Sequence, residues 1–406
     1  MKKPELLAPA GDFEKLQMAI AYGADAVYIG GKQFSLRANA KNFDLAELGE
    51  AITYAHSKNT KVYVSVNIFA NNRDFAGLKD YLLALKDMGA DGVIVADMGV
   101  FDIARQIDGL DIHISTQANV TNYQSALLYK QLGARRVILA RELSIEEITE
   151  INRRVAPFET EVFIHGAMCV SYSGRCLLSN YMTGRDANKG DCAQPCRWNY
   201  HLVEEKRPGE YIPVYEDERG TYIMNSKDLC MISHIPELVA AGVSSFKIEG
   251  RMKTSYYVAA VTRVYREAID DYFTCESLYA SKKDYYLTEL EKTSHRDFFT
   301  GFYMGRPEKG QHLTDKLYGN AQDFLGVVVG YDAEKQLALV EQRNKFAVGD
   351  DVEFLKAGFT QTLVDMYAKD GAQINSAPHP QQMVYIRTTQ PVERFDILRR
   401  FVPYGR

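Results

Sequence analysis

Six cysteines are the residues of this sequence with the clearest potential for chemistry. They are Cys169, Cys176, Cys192, Cys196, Cys230 and Cys275. Five of them lie between positions 169 and 230. Cysteines clustered in this way in a reducing compartment are more often metal ligands or catalytic groups than disulfide partners. Cys275 lies far from the cluster, at a predicted helix end, and is expected to be an ordinary packed thiol.

The spacing of the clustered cysteines limits the kinds of metal site. No Cys-x2-Cys pair occurs, which argues against a zinc ribbon. Irregularly spaced cysteines are compatible with a cubane iron–sulfur cluster, because the fold rather than a short loop then supplies the geometry. From spacing alone, an iron–sulfur cluster, a zinc site and structural or redox cysteines all stay open.

Motifs for hydrolysis are missing from the sequence. No His-Glu-x-x-His zinc-peptidase motif occurs, and Ser171-Tyr172-Ser173-Gly174 does not fit the Gly-x-Ser-x-Gly pattern. No nucleophile–base pair of a peptidase is therefore visible.

A second set of candidates follows the apolar runs that are predicted to be strands. In a barrel of alternating strands and helices, the working residues lie just past the carboxyl ends of the strands. Those positions hold Gly30, Asn67, Asp97, Gln117, Arg141, Glu142, His165, Glu249 and Arg251. The candidate catalytic residues among them are Arg141, Glu142, His165, Glu249 and Arg251. Helix capping or ion pairing is the alternative role for each.

Residues 245–266 carry the densest positive charge next to a predicted strand end. The chain as a whole carries −5, so any contact with a nucleic acid must come from a local patch. The basic residues of this segment outnumber its one acidic residue, Glu249, and are Lys247, Arg251, Lys253, Arg263 and Arg266. Three tyrosines of the segment either stack on bases or face the core at helical spacing: Tyr256, Tyr257 and Tyr265.

The elements that must position these residues alternate between short apolar runs and amphipathic segments. Eight runs are predicted to be strands: residues 5–8, 26–30, 61–67, 92–97, 112–116, 136–140, 161–164 and 245–248. A repeated joint precedes four of them, with a glycine as helix cap at Gly23, Gly89, Gly133 and Gly242. This alternation favours a (β/α)8 TIM-like barrel over a doubly wound sheet.

The pattern changes towards the carboxyl end, where short strands are closely spaced from Leu325 onwards. We divide the chain into an α/β barrel with a cysteine-rich insertion at 1–275, a helical connector at 276–320 and a small antiparallel β-barrel domain at 321–406. No uncharged apolar run reaches the length of a membrane span, and the amino terminus does not resemble a signal peptide. We therefore expect a cytoplasmic protein that does not contact membranes.

Four motifs in the chain resemble those of one known family, the collagenase-like peptidases (unassigned-mechanism peptidase family thirty-two). The motifs span residues 161–179, 190–198, 225–230 and 246–253, and the resemblance covers most of residues 4–270. The C-terminal domain is also similar to that of the family. The branch that the chain most resembles is that of the tRNA hydroxylation proteins, which make 5-hydroxyuridine at the wobble position. Sister branches hydroxylate a ribosomal RNA cytidine or ubiquinone precursors without oxygen.

The resemblance implies a [4Fe–4S] cluster and prephenate as the hydroxyl source. Its implied ligands are Cys169, Cys176, Cys192 and Cys230. Cys196 is the alternative for one of these positions, because a related branch uses a pair that resembles Cys192 and Cys196. The peptidase label of the family does not agree with the missing hydrolytic motifs.

The implied substrates suggest roles for the basic residues. Prephenate is a dicarboxylate, so its site should hold arginine or lysine, and Arg141, Arg251 and Arg37 are the candidates. Phosphates of tRNA are expected at Lys247, Arg251 and Lys253, with the C-terminal domain against the side of the stem. The expected partners are tRNA, prephenate and a paralogous subunit. A collagenase-like peptidase and an RNA-binding iron–sulfur scaffold are the alternative functions.

Overall fold

The computed structural model describes residues 2–35, 41–168, 225–305 and 322–401. It also describes short pieces at 178–183, 185, 193, 202–203, 211–212, 215–217, 220–222 and 311–312. Several residues that the sequence singles out lie outside the described residues: Arg37, Cys169, Cys176, Cys192 and Cys196.

A closed parallel barrel forms the first part of the chain. In chain order, its strands and one added strand are β1 Glu5–Pro9, β2 Ala26–Gly30, β3 Lys61–Val66, β4 Gly92–Val95, β5 Ile112–Ile114, β6 Arg136–Ile138, β7 Glu159–Ala167, β8 Asp228–Cys230 and β9 Ser245–Ile248. All except β8 pair in parallel, and β9 pairs with both β1 and β7, which closes the barrel. The predicted (β/α)8 barrel is confirmed.

Helices surround the barrel and continue beyond it. They are α1 Phe13–Ala21, α2 Leu45–His56, α3 Leu78–Asp87, α4 Met98–Ala104, α5 Tyr123–Gln131, α6 Ile145–Val155, α7 Leu178–Thr183, α8 Ile235–Ala240, α9 Ser255–Thr274, α10 Glu276–Ser281 and α11 Lys283–Glu291. Short 3-10 turns occupy Asn72–Phe75, Thr116–Ala118 and Ile232–His234. The repeated glycine joint is confirmed, since its four glycines have φ between 80° and 98° directly after helices α1, α3, α5 and α8.

Two short strands extend the barrel sheet beyond β7. Strand β8 runs antiparallel to the last residues of β7, with Cys230 opposite His165, and β10 Phe298–Phe299 pairs in parallel with β8. Helices α10 and α11 fall in the predicted connector, and they bury Tyr279, Tyr286 and Leu290 in the same core as the barrel. The extension brings Cys230 to the carboxyl end of β7.

The C-terminal domain is antiparallel, as predicted. Its strands are β11 Gln322–Asp332, β12 Leu337–Gln342, β13 Phe346–Ala347, β14 Asp351–Phe354, β15 Phe359–Thr362, β16 Met366–Ala368, β17 Ser376–Ala377, β18 Met383–Arg387 and β19 Ile397–Phe401. Seven of them form one curled sheet in the order β15-β14-β19-β11-β12-β18-β16 over a core of its own, and β13 pairs with β17. Further two-stranded pairs join Leu202–Val203 to Tyr211–Ile212, Tyr215–Asp217 to Gly220–Tyr222, and Asn225–Ser226 to Gln311–His312.

A buried arginine fastens the two domains together. The Arg399 guanidinium donates to Glu353 of its own domain at 2.6 Å and to Glu289 of α11 at 2.8 Å. It also donates to the hydroxyl of Tyr256 on α9 at 3.2 Å, and it is fully buried. These contacts hold the C-terminal sheet against the barrel helices. Among the described residues, no helix combines the length and apolar character that a bilayer span requires.

Candidate functional site

Arg251 crosses the mouth of the barrel from the end of β9. Its guanidinium donates to the Ser35 hydroxyl at 3.0 Å and to the Asn42 amide oxygen at 3.2 Å, and the side chain is buried. It lies against Gly30 at the end of β2, where a Cβ atom would approach the arginine Nη1 to 2.4 Å. Glycine at position 30 is therefore what leaves room for the guanidinium. Ser35 and Asn42 flank the segment that contains Arg37, which lies outside the described residues.

Arg141 and Glu142 follow β6 on another side of the same mouth. Arg141 is buried; it donates to the Ala167 carbonyl at 2.7 Å, and its Cζ lies 4.6 Å from the ring centre of Phe163. Burial raises the pKa of Glu142, and the charge of Arg141 offsets part of that rise. The structure thus has a buried guanidinium and a carboxyl with raised pKa at consecutive positions after β6.

Other residues predicted at the mouth have structural partners. Asp97 caps α4 by accepting from the backbone N–H groups of Gly99 and Val100 at 2.8 Å and 3.1 Å. Asn67 donates to the side-chain oxygen of Gln117 at 2.6 Å. For Asp97 the alternative role of helix cap is the correct one.

The prediction that Lys247 contacts phosphate is wrong. Lys247 is the third residue of β9, and strand alternation directs its side chain into the barrel. Its Nζ lies 3.0 Å from the Glu161 carboxylate and 4.4 Å from the ring centre of Tyr28, and the residue is only 4% exposed. A phosphate cannot reach it without breaking this pair. Lys253 differs, because it is half-buried at the rim, where its Nζ donates to the Ser294 carbonyl at 3.1 Å.

The three tyrosines of the basic segment face the core. Tyr256, Tyr257 and Tyr265 are exposed by 6% or less, so they do not stack on bases. Of the two roles that the helical spacing left open, core packing is the correct one.

His165 lies on β7 but does not face the mouth. The pairing between β7 and β9 shifts register at Ile248, which is opposite His165. The next residue, Gly166, has φ 107°, and a Cβ there would lie 2.5 Å from the Glu249 carbonyl oxygen. This backbone irregularity turns the His165 ring towards Tyr257, Tyr265 and Phe298, whose ring centres lie 5.4–6.0 Å from its own. The prediction that it lies among the mouth residues is therefore wrong. Glu249, by contrast, remains at the rim; its backbone N–H donates to the His165 carbonyl at 2.9 Å.

Cys230 is buried on the same side of β7 as His165. Its thiol is free, the residue is 7% exposed, and the Tyr265 hydroxyl lies 3.9 Å from its Sγ. Burial raises the pKa of the Cys230 thiol to about 11. Burial also lowers the pKa of His165 to about 3, with the charges of His295 and Lys253 adding to the effect. Both groups are thus neutral at pH 7 in this structure.

The surroundings of Cys230 fit a metal–sulfur group. The thiol lies in an apolar aromatic region opposite His165, whose Nε2 is buried without a hydrogen-bond partner among the described residues. A buried polar atom without a partner calls for an explanation, and a further group bound beside the thiol would supply one. Within the described ranges, no three His, Cys, Asp or Glu side chains come close enough to hold a metal ion. Cys169 directly follows Met168, the first residue after β7 and the last of the described range 41–168.

Sequence reasoning missed two sets of residues that the structure brings together. Tyr265 contacts both His165 and Cys230, although its position on a helix indicated only a core or stacking role. Inside the barrel, buried charges form a network that includes Glu5, Arg136 and Glu161. The alternation Glu159-x-Glu161 within an otherwise apolar strand was the signal for inward-facing charges.

Comparisons with known proteins match both domains. Residues 11–313 match the model described as Peptidase family U32, and residues 320–399 match that of the Peptidase family U32 C-terminal domain. The chain is 42% identical to tRNA hydroxylation protein P1 of Bacillus subtilis (strain 168), covering 98% of this chain and 95% of that protein. It is 38% identical to tRNA hydroxylation protein P of Escherichia coli (strain K12), covering 97% and 95%. It is also 42% identical to an uncharacterized protease of Methanocaldococcus jannaschii, covering 91% and 90%.

Proposed function

The chain belongs to peptidase family U32, and from that premise we propose that it is an RNA hydroxylase that modifies tRNA. The observation that carries the proposal is its similarity, along nearly the whole chain, to proteins named for tRNA hydroxylation. In its finer form, the reaction is the 5-hydroxylation of the wobble uridine. It proceeds without oxygen, with prephenate as the hydroxyl source and a [4Fe–4S] cluster as cofactor.

The cysteines of the insertion hold the cluster in this proposal. Its ligands are Cys169, Cys176, Cys192 and Cys230, with Cys196 as the alternative for one of them. Support comes from Cys230, a free thiol that is buried in an apolar region beside the carboxyl-terminal part of β7, the strand after which Cys169 follows in sequence. When bound there, the cluster would supply electron transfer or activation of the hydroxyl donor.

Two arginines at the mouth are proposed to bind the carboxylates of prephenate. The neutral oxygens of Ser35 and Asn42 hold the Arg251 guanidinium in place, and Arg141 is fixed by the end of β7. Charge-assisted hydrogen bonds from such oriented guanidinium groups suit a dicarboxylate. Glu142, whose pKa is raised by burial, is proposed as a proton-holding carboxyl of the mouth.

Contacts with tRNA are assigned to the rim near Lys253 and to the C-terminal domain. Lys253 lies just after the end of β9, and the Arg399 contacts fix the C-terminal sheet beside the barrel helices. A rigid pair of domains can hold an RNA stem while the wobble base turns into the mouth. A paralogous subunit stays a prediction.

Proteolysis is the second candidate, because the family description and the name of the archaeal relative both refer to it. A cysteine peptidase needs a thiolate activated by a neighbouring base. Cys230 and His165 are neighbours across β7 and β8, but burial raises the thiol pKa to about 11 and lowers the histidine pKa to about 3. A thiolate–imidazolium pair is therefore disfavoured at this place.

Iron analysis and tRNA nucleoside analysis test the proposal together. Anaerobically purified protein should contain about four irons and four sulfides per chain. Cys169→Ala, Cys176→Ala, Cys192→Ala and Cys230→Ala should each lose the cluster. Cys275→Ala should keep it, because Cys275 is exposed and is not the packed thiol that its sequence position predicted. If Cys196→Ala lost the cluster and Cys230→Ala kept it, Cys196 would replace Cys230 in the set of ligands.

A strain without the gene should lose 5-hydroxyuridine-derived nucleosides from its tRNA. Wild-type protein should restore them, and Cys230→Ala should not. If the protein bound tRNA and its loss left the tRNA nucleosides unchanged, the alternative of an RNA-binding iron–sulfur scaffold would be favoured. Gelatin or casein cleavage by cluster-free protein that a single point mutation abolishes would favour the peptidase.

A further inference from the structure

The hydroxyl of Tyr265 lies where four groups from β7, β8 and the turn after β8 meet. It donates to the Ile164 carbonyl of β7 at 2.8 Å, and it accepts from the Met231 backbone N–H after β8 at 3.2 Å. His165 Nδ1 lies 3.3 Å away and Cys230 Sγ lies 3.9 Å away. The residue is fully buried on α9. A single side chain thus joins the two strand ends that flank the thiol.

The number of hydrogens at this hydroxyl decides how its neighbours are protonated. A phenol has one hydrogen to donate, and the carbonyl of Ile164 is its nearest acceptor. The hydrogen between Tyr265 and His165 must then lie on Nδ1, which leaves the lone pair on Nε2. That Nε2 is buried and has no hydrogen-bond partner in the described part of the chain. The arrangement fixes the histidine as a neutral neighbour that adds no charge beside Cys230.

If Cys230 bound a metal, the preferred acceptor of the Tyr265 hydroxyl hydrogen would change. A thiolate sulfur is a stronger acceptor than a thiol sulfur, and the hydroxyl already lies within the range of an O–H···S contact. We propose that Tyr265 is a positioning residue for Cys230. Its one hydrogen turns from the Ile164 carbonyl to the bound thiolate, while Met231 N–H and His165 Nδ1–H still donate to its oxygen and join it to both strand ends. Hydrogen bonds to cluster sulfurs stabilise the more negative reduced form, so this contact raises the reduction potential of the cluster. The inference rests on the proposed cluster.

Tyr257 provides a matched control on the same helix. It is also buried and also packs against the His165 ring, with ring centres 6.0 Å apart. Its hydroxyl donates to the Glu249 carbonyl at 3.0 Å instead of facing Cys230. Loss of either hydroxyl removes a buried hydrogen bond to a backbone carbonyl, but only Tyr265 reaches the sulfur.

A redox titration of the anaerobic holoprotein tests the inference. Electron paramagnetic resonance follows the titration, and the iron content per chain is measured in each variant. Tyr265→Phe should keep the iron content of the wild type and shift the midpoint potential to a more negative value. Tyr257→Phe should keep the wild-type potential. A full cluster at the wild-type potential in Tyr265→Phe would overturn the inference and leave the cluster in place. A wild-type protein without iron would instead overturn the proposed cofactor and the inference with it.

A second variant decides the question if Tyr265→Phe does not fold. A ring-fluorinated tyrosine at position 265 keeps the shape and the hydroxyl but donates more strongly. It should shift the potential in the positive direction. An unchanged potential in this variant would contradict a hydrogen bond from Tyr265 to the cluster ligand.

Discussion

The two ends of strand β7 carry buried polar clusters of opposite kinds. At its amino end, Arg136 bridges Glu161 at 3.0 Å and Glu5 at 2.6 Å, and Lys247 binds the other oxygen of Glu161 at 3.0 Å. Burial alone would raise the pKa of Glu5, but the charge of Arg136 and its hydrogen bond outweigh burial and lower that pKa. We call this cluster of Glu5, Arg136, Glu161 and Lys247 the ionic end; its charges stabilise one another.

At the carboxyl end of β7, burial is not offset by opposite charge. The pKa of Cys230 rises to about 11 and that of His165 falls to about 3, so both are neutral. Tyr265 supplies the hydrogen bonds there, and His165 Nε2 is left without a partner among the described residues. The charges of the ionic end are paired with one another, whereas no opposite charge faces the groups of the neutral end. That difference separates a structural cluster from a candidate site.

The largest expected effect on stability comes from removing the Glu161 carboxylate from the ionic end. Glu161→Ala leaves Lys247 buried without its carboxylate and Arg136 with fewer partners, and breaking a buried ion pair costs about 3–5 kcal/mol. Urea unfolding should show a loss of that size in the free energy of unfolding. Glu150→Ala, which breaks the exposed pair with Arg154, should cost less than about 0.5 kcal/mol. A similar small loss in both variants would show that the network is not a structural cluster.

The barrel could be predicted from the sequence, because each of its eight strands is a local apolar run and each repeated glycine marks a helix end. The strand of Lys247 was predicted at its observed bounds, 245–248, but the direction of the lysine side chain was not, because all four residues of β9 are buried and the run shows no alternation that marks the face lining the barrel. For His165 the obstacle was the register shift beside Gly166, since a backbone irregularity leaves no trace in hydrophobic periodicity.

The neighbourhood of Cys230 depends on two strands that are too short to recognise. Strand β8 has three residues and β10 has two, and neither shows an alternation of its own. Motif resemblance pointed to the cysteine, but only the pairing of β8 with β7 puts it opposite His165. Tyr265 joins the site from α9, thirty-five positions further along the chain.

The pH dependence of stability should expose a neutral group inside the ionic end. His113 is buried and packs against Tyr63 with ring centres 4.4 Å apart and the rings tilted by 58°, and its Nδ1 has no hydrogen-bond partner among the described residues. Burial, then the charges of Arg136 and Lys247, hold the pKa of His113 well below its ordinary value. The unfolded chain takes up a proton below a pH of about 6.5 and the folded chain does not, so stability falls as the pH falls.

His113→Phe should remove the contribution of His113 and leave that of His165, whose pKa is also lowered by burial. Between a pH of about 7.5 and one of about 5.5, the variant should lose less stability than the wild type, by on the order of 1 kcal/mol. Urea unfolding at the two pH values measures the difference. His379→Phe, at an exposed position of the C-terminal domain, is the control and should follow the wild type. Parallel curves for the wild type and His113→Phe would mean that His113 titrates alike in both states.

The smallest expected effect is on tRNA binding, and it distinguishes a lysine inside the barrel from a lysine at its rim. Lys253→Met removes a charge that lies half-buried after β9, so tRNA binding should weaken a few-fold and its logarithmic salt dependence should flatten by roughly one unit. Lys247→Met removes a charge that is already neutralised by Glu161 within the barrel, so affinity and salt dependence should stay as in the wild type. Filter binding across a series of salt concentrations compares the two. An equal flattening in both variants would mean that the ionic end also contributes to the field that attracts RNA. An unchanged slope in Lys253→Met would move the RNA contact away from this rim, and the C-terminal domain would be the next surface to test.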